Sequence, residues 1–84
     1  MIYPVIVDVT LRHGIADPEG ATIERALPAL GFSGVSAMRA GKSFRFNVDA
    51  PDEASALVKA SSLANRLLSN PVIENATARI NAER

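Results

Sequence analysis

Alternating hydrophobic and polar residues predict a strand over residues 2–11. Val5, Val7 and Val9 share one face, whereas Ile6 is the one strongly apolar residue among the alternate positions 4–10. This period of two is typical of a strand with one buried face. We expect helices to cover the valine face, and water or a partner to cover the other.

The same period returns in residues 34–50, which we interpret as a hairpin of two short strands. In the second strand, Phe44 and Phe46 alternate with polar and charged residues, so both rings are predicted to enter the core. A tight turn at residues 40–42 is expected to join the strands, with Gly41 supplying a positive φ.

A helical pattern lies between the first strand and the hairpin. Asp17 and Pro18 provide an N-cap and a first helical residue, and Gly31 is a C-cap candidate. The apolar stripe between them consists of Ile23, Ala26, Leu27 and Leu30. Pro28 lies inside this pattern and has no N–H, so it predicts a kink or a loosened last turn.

A second helix is predicted from residues 52–53 to about Ser69, followed by a last strand over residues 72–80. The apolar stripe of this helix consists of Leu57, Ala60, Ala64, Leu67 and Leu68. Its small residues allow close approach to a sheet. Residues 81–84 are expected to form a frayed tail.

The element order β-α-β-β-α-β predicts one α+β domain over residues 1–84, a ferredoxin-like split fold. Right-handed crossovers then give an antiparallel four-stranded sheet in the order 4-1-3-2, with both helices on one face. The second and fourth strands are edges of this sheet, open to pairing with another copy.

Composition excludes several classes of function. Nine basic and nine acidic residues give a net charge of zero, which argues against nucleic-acid binding. The absence of cysteine excludes a disulfide framework and a thiolate metal site. No secretory or membrane-spanning pattern is seen, so a cytoplasmic location is expected.

Two motifs in the hairpin resemble ligand sites. Residues 41–43 read GKS, but a phosphate loop needs an earlier glycine where Ser36 stands, and a helix where Phe44 begins a strand. Residues 42–48 resemble the basic-aromatic strand of RNA-binding domains, yet the phenylalanines face the predicted core. His13 has no companion ligands. No catalytic, cofactor-binding or metal-binding residue is expected in this chain.

Several short motifs carry a family resemblance through their order and spacing. They are Val9-Thr10-Leu11-Arg12 with Gly14, Asp17-Pro18 with Gly20, Ala26-Leu27, Leu30-Gly31-Phe32, Val35, Arg39, Gly41-Lys42, Phe44, Leu67-Leu68 and Asn70-Pro71-Val72-Ile73-Glu74. Together they resemble the PurS family, the small subunit of phosphoribosylformylglycinamidine (FGAM) synthase. Pro28 departs from the good helix formers expected at its position.

The resemblance implies a self-associating subunit, a homodimer or tetramer, in complex with a glutaminase and a larger ATP-dependent synthetase. Together these convert formylglycinamide ribonucleotide, glutamine and ATP to formylglycinamidine ribonucleotide in de novo purine synthesis. The small subunit is implied to bridge the other two and to help ammonia pass between them. ATP and Mg²⁺ would be used by the synthetase and not bound by this chain.

Four charged residues are expected to dock the partners: Arg12 and Asp17 in the first loop, and Arg39 and Lys42 at the hairpin. The simpler alternatives are that Asp17 is only a helix cap and Lys42 only a solvated turn residue. A second interpretation of the whole chain is a ferredoxin-like regulatory domain that binds a small effector at a dimer interface.

Overall fold

The computed structural model describes residues 1–82, which form three strands and two α-helices. In chain order they are β1 (Ile2–Leu11), α1 (Pro18–Ala26), β2 (Gly41–Asp49), α2 (Glu53–Leu63) and β3 (Glu74–Ile80). A 3₁₀ turn, Pro28–Leu30, follows α1, and a π-helical turn, Ala64–Leu68, follows α2. The α+β class predicted from the sequence is confirmed.

The sheet has β1 at its centre and is antiparallel throughout, in the order β2-β1-β3. Val5 of β1 lies opposite Phe46 on one side and Ile80 on the other. This order matches the predicted order 4-1-3-2, except that the second predicted strand is absent, so that the present β2 and β3 are the third and fourth predicted strands. Of residues 1–82, only these three strands form the sheet, so the four-stranded sheet is not present in the single chain.

The predicted hairpin is wrong in its first half. Residues 34–40 form neither strand nor helix, and Gly41 pairs with Thr10 as the first residue of β2. Gly41 does not adopt a positive φ. It is a close-approach glycine instead, because a Cβ there would lie 2.8 Å from the Val9 carbonyl oxygen.

The core forms where α2 crosses the sheet. Ala56, Ala60 and Ala64 face the sheet, and each is almost fully buried. The valine face of β1 lies beneath them and is equally buried, as the alternation predicted. Because alanine has so small a side chain, the helix axis can approach the strands closely and leave little void.

No helix covers the opposite face of the sheet within residues 1–82, yet Ile6 on this face is only 6% exposed. Its neighbours on the adjacent strands are Arg45 and Arg79. The aliphatic stems of such long side chains shield apolar surface while their charged ends remain in water. Arg79 also pairs with Asp8 of β1 at 3.5 Å.

The caps and the break in the first helix are confirmed. Asp17 accepts a hydrogen bond from the Gly20 N–H, Pro18 is the first helical residue, and Gly31 has a φ of 87°. The α-helix ends at Ala26 and continues as a 3₁₀ turn that begins at Pro28. Proline cannot donate to the Glu24 carbonyl, so the α-helical ladder stops there.

The predicted placement of both helices on the sheet is wrong for α1. This helix makes its main contacts with the following 3₁₀ turn, whereas α2 packs on all three strands.

We call residues 15–40 the arm. The radius of gyration is 16.0 Å, against about 12 Å for a compact chain of this length. The chain is therefore extended, with overall dimensions of 50 × 31 × 14 Å.

The end of α2 differs from prediction in one side chain. Leu67, expected in the buried stripe, is 75% exposed. The π turn fits extra backbone into one helical turn and rotates the following side chains away from the α-helical stripe. The helical segment then ends at Ser69, as expected, and the Ser69 hydroxyl donates to the Ala64 carbonyl at 2.9 Å.

The last strand begins at Glu74, two residues later than predicted, because residues 70–73 form a turn. The Glu74 N–H donates to the Asn70 carbonyl at 2.8 Å. At the other end, the Asn81 N–H donates to the Pro4 carbonyl at 2.8 Å, so this part of the predicted tail is held. The remaining tail prediction, at residues 83–84, lies outside the described residues. No helix in residues 1–82 is long and apolar enough to cross a membrane.

Candidate functional site

The four predicted docking residues all lie where the arm joins the sheet. We call residues 12–17 and 38–42 the arm base. The first segment follows β1, and the second leads into β2, beside β1 in the sheet. Arg39 reaches the backbone of Arg12, and Asp17 and Lys42 line one small cavity of about 210 Å³. The structure therefore brings together residues that are far apart in sequence.

Asp17 has two structural tasks at the arm base. One carboxylate oxygen accepts from the Gly20 N–H at 3.0 Å, and the other accepts from the Ala40 N–H at 2.8 Å. These two bonds, with a smaller contribution from the charge of Arg39, lower the pKa of Asp17 despite partial desolvation. Asp17 is thus more than a cap, because it also ties the two segments together.

Arg39 and Glu24 complete the attachment of the returning segment. The Arg39 Nη2 donates to the carbonyl oxygens of Leu11, at 3.0 Å, and Arg12, at 3.4 Å. The Met38 N–H donates to Glu24 Oε1 at 2.7 Å. Glu24 was not singled out from the sequence, although its place seven residues after Asp17 puts both on one helix face.

Arg12 and Lys42 connect the arm base to the turn before β3. The Arg12 Nε donates to the Pro71 carbonyl at 2.9 Å, and its backbone N–H donates to the Ile73 carbonyl at 2.8 Å. The Lys42 Nζ lies 3.7 Å from Glu74 Oε2, and the lysine side chain is 58% exposed. Glu74 belongs to one of the motifs that carry the family resemblance, but its contact with Lys42 was not predicted from the sequence.

The chemistry available here is hydrogen bonding and charge. In the part of the chain that the structure describes, no group of acidic, histidine or cysteine side chains could hold a metal ion. Lys42 and Ser43 stand in β2, without the following helix of a phosphate loop. Phe44 and Phe46 pack against the core beneath α2, which does not favour base stacking. The arrangement suits contact with another protein surface.

Comparison with known proteins identifies the family. The family model described as PurS, phosphoribosylformylglycinamidine (FGAM) synthase, matches residues 4–82. The chain belongs to the PurS family. It is 41% identical over 73 residues to the PurS subunit of FGAM synthase from Synechocystis, a match that covers 87% of this chain and 73% of the relative.

Solved PurS structures share the fold. The Thermotoga maritima PurS subunit has 32% sequence identity and a TM-score of 0.88, covering 96% of this chain and 93% of that chain. A chain in the structure of PurLQS from Thermotoga maritima has 32% identity and a TM-score of 0.87, with 96% and 99% covered. The family predicted from the sequence is confirmed, and with it a role as a subunit of FGAM synthase in purine biosynthesis.

Proposed function

We propose that this chain is the non-catalytic subunit that joins a glutaminase to an ATP-dependent synthetase within FGAM synthase. The complex converts formylglycinamide ribonucleotide, glutamine and ATP to formylglycinamidine ribonucleotide. The observation that carries the proposal is the similarity to a chain of the Thermotoga maritima PurLQS structure over nearly the whole length of both. The proposed location is the cytoplasm.

The side chains at the arm base support a role in binding rather than in catalysis. Arg12, Asp17 and Arg39 hydrogen-bond to backbone groups. In this arrangement they shape a surface instead of activating a nucleophile or holding a cofactor. ATP and Mg²⁺ are accordingly assigned to the synthetase, and ammonia release to the glutaminase.

A bridging subunit has a physical purpose in this reaction. Ammonia released into water is rapidly protonated, and the ammonium ion is not a nucleophile. Transfer between two active sites therefore needs a contact from which bulk water is excluded. A small, rigid subunit that binds both larger subunits can hold the two sites in register and close the path between them.

We also propose that the chain self-associates, as a dimer or a tetramer, and so completes a ferredoxin-like arrangement. Both outer strands, β2 and β3, have one unpaired edge among the described residues. Such edges are open to pairing or to coverage by another element. The extended arm carries further exposed apolar side chains, among them Leu30 and Phe32.

Reconstitution with the glutaminase and synthetase of the same organism tests the bridging role. Formylglycinamidine ribonucleotide formation is measured with glutamine and, separately, with ammonium salt as nitrogen source. Glutamine-dependent synthesis should require this chain, whereas ammonia-dependent synthesis by the synthetase should depend on it far less. Glutamine-dependent synthesis at full rate without the chain would contradict the proposal. Failure of the three proteins to co-elute during turnover would contradict it as well.

A further inference from the structure

The sheet face opposite α2, which we call the open face, is polar and accessible. Its side chains alternate with those of the core, because successive residues of a strand lie on opposite faces. Along β3 and between residues 42 and 48 of β2, the open face carries only exposed polar side chains: Ser43, Arg45, Asn47, Asn75, Thr77 and Arg79. The chemistry of this surface is therefore hydrogen bonding and charge.

Two arginines are held in place at the centre of the open face. Arg45 and Arg79 lie on either side of Ile6, which is only 6% exposed because their aliphatic stems cover it. A stem that already packs on apolar surface has less rotamer freedom to lose when its charged end binds something. Both guanidinium groups are thus prepared for a contact.

The charge of Arg45 is left without a partner. Arg79 pairs with Asp8 at 3.5 Å, and Asp49, the other acidic residue of this face, pairs with the ammonium group of Met1 at 3.2 Å. In residues 1–82, Arg45 makes neither an ion pair nor a hydrogen bond. The open face therefore presents one arginine whose donors are all available.

A shallow depression of about 210 Å³ lies beside Arg45 and is lined also by Pro4, Asn47 and Asn81. Sites for small molecules usually enclose about 300–1,000 Å³, so this one suits a single side chain better than a metabolite. The guanidinium of Arg45 and the amide of Asn47 both offer N–H donors, and a carboxylate can accept several such bonds at once. The depression fits the end of an aspartate or glutamate side chain.

The carboxylate is expected to come from a protein and not from a nucleic acid, which would supply phosphate instead. Sheet faces that bind single-stranded nucleic acid offer aromatic rings on which bases stack. The aromatic residues of the described sheet, Tyr3, Phe44 and Phe46, pack on the core side. The net charge of zero also lacks the basic excess that phosphate binding requires.

The open face is separate from the docking residues of the arm base. Lys42 and Arg45 are three positions apart in β2, so their side chains lie on opposite faces of the sheet. Lys42 pairs with Glu74 on the α2 side, where both line a cavity with Val9 of the core. A subunit that joins two larger proteins needs two surfaces that can be occupied at the same time, and these two faces meet that need.

We propose that the open face docks one of the two larger subunits, through an acidic side chain of that subunit placed beside Arg45, while the arm base docks the other. This inference rests on the proposed bridging function and specifies the surface and the chemistry of one contact. The variable half of the basic-aromatic run, Arg45 and Asn47, thereby acquires a role that its core-facing phenylalanines do not have.

A matched pair of substitutions tests the contact in the reconstituted three-protein complex. Arg45→Gln and Asn75→Asp each make the open face more negative by one charge, but Asn75 lies at its other end, opposite Thr10. Arg45→Gln should raise the dissociation constant of this chain at least about tenfold, since one partner of a desolvated charge pair is lost. Asn75→Asp should change it by no more than about twofold. Equal effects of the two variants, or unchanged binding of Arg45→Gln, would overturn the proposal.

Arg45→Lys separates recognition from folding. This variant keeps the charge and a long stem over Ile6 but loses the planar fork that binds a carboxylate with two parallel bonds. Its midpoint in urea should equal that of the wild type, and its dissociation constant should lie between those of the wild type and Arg45→Gln. Wild-type binding by Arg45→Lys together with weak binding by Asn75→Asp would show that only the overall charge matters, and would contradict docking beside Arg45.

Site-specific cross-linking tests whether the two faces meet different proteins. The chain has no cysteine, so Ser43→Cys on the open face and Lys42→Cys at the arm base give unique thiols on adjacent residues of opposite faces. Each is labelled with maleimide-benzophenone and irradiated in the saturated complex. The two positions should capture different larger subunits. Capture of the same subunit by both, or of a second copy, a nucleic acid or nothing at residue 43, would overturn the proposal. Full glutamine-dependent synthesis by the wild type in the same preparations would leave the bridging function intact.

Discussion

Replacing Gly20 by alanine tests whether the arm base holds the arm as the structure indicates. Gly20 is the only buried residue of α1. An added Cβ would lie 2.6 Å from Asp17 Oδ2 and 2.7 Å from the Met38 carbonyl oxygen. The carboxylate is held by Gly20 and Ala40, and the carbonyl belongs to the backbone, so neither can move without breaking contacts of the arm base.

Two effects of opposite sign determine the outcome. In an open helix, alanine is more favourable than glycine by about 1 kcal/mol. Inserting a methyl group into a filled site costs about 1–3 kcal/mol. Because the added methyl group would overlap two oxygens, its cost should be at least about 2 kcal/mol. Subtracting the gain in helix propensity of about 1 kcal/mol leaves a net destabilisation of about 1 kcal/mol. That corresponds to about a fivefold increase in local opening of α1.

Amide hydrogen exchange of α1, followed by NMR, measures this opening directly. The control is Ala21→Gly, since Ala21 is exposed and neighbours Gly20 in the same helix. Both variants should speed exchange in α1, although helix propensity alone predicts opposite effects. Slower exchange in Gly20→Ala than in the wild type would refute the reasoning, because the methyl group would then have found room.

Three further predictions concern the arm base and the core. Because the pKa of Asp17 is lowered, its carboxylate stabilises the fold above the ordinary pKa of aspartate, and this stabilisation is lost as pH falls through the lowered value. Amide hydrogen exchange in α1 should therefore become faster in acid in the wild type, and should lack this dependence in Asp17→Asn. Arg39→Ala combined with Lys42→Ala should weaken assembly of the three-protein complex while circular dichroism stays unchanged; full assembly and glutamine-dependent activity would contradict this. Ala60→Leu should lower the free energy of unfolding, measured by urea titration, by about 1–3 kcal/mol, since Ala60 is fully buried against the sheet. An unchanged midpoint of the urea transition would show that α2 is not closely packed.

Local signals in the sequence were sufficient for much of the secondary structure. The valine alternation marks β1 with the correct bounds, because one face of that strand is fully buried by its own chain. Asp17, Pro18 and Gly31 mark the ends of the first helical segment through backbone requirements that depend only on neighbouring residues. The proline break was predictable for the same reason.

Features that depend on distant residues were not predictable in this way. Residues 34–40 contain apolar side chains, and a pattern cannot tell whether such side chains pack on their own chain or on another copy. The π turn at Ala64–Leu68 likewise leaves no signal in the hydrophobic pattern, and it moves Leu67 out of the apolar stripe of α2. Arg39 was singled out by position, but its bonds to the end of β1 follow from the sheet register, which the sequence does not specify.

The geometry of the arm base changes how its charged residues are to be interpreted. Arg39 donates to the backbone at the end of β1, so its loss affects the position of the arm before it affects any partner. Lys42 is 58% exposed and bound only loosely to Glu74, so its loss affects mainly the outer surface. The two residues therefore act on different parts of the surface, Arg39 on the attachment of the arm and Lys42 on the outer surface of β2. Weakened binding in the double variant would combine a displaced arm with a disturbed partner contact, and the single variants would separate the two effects.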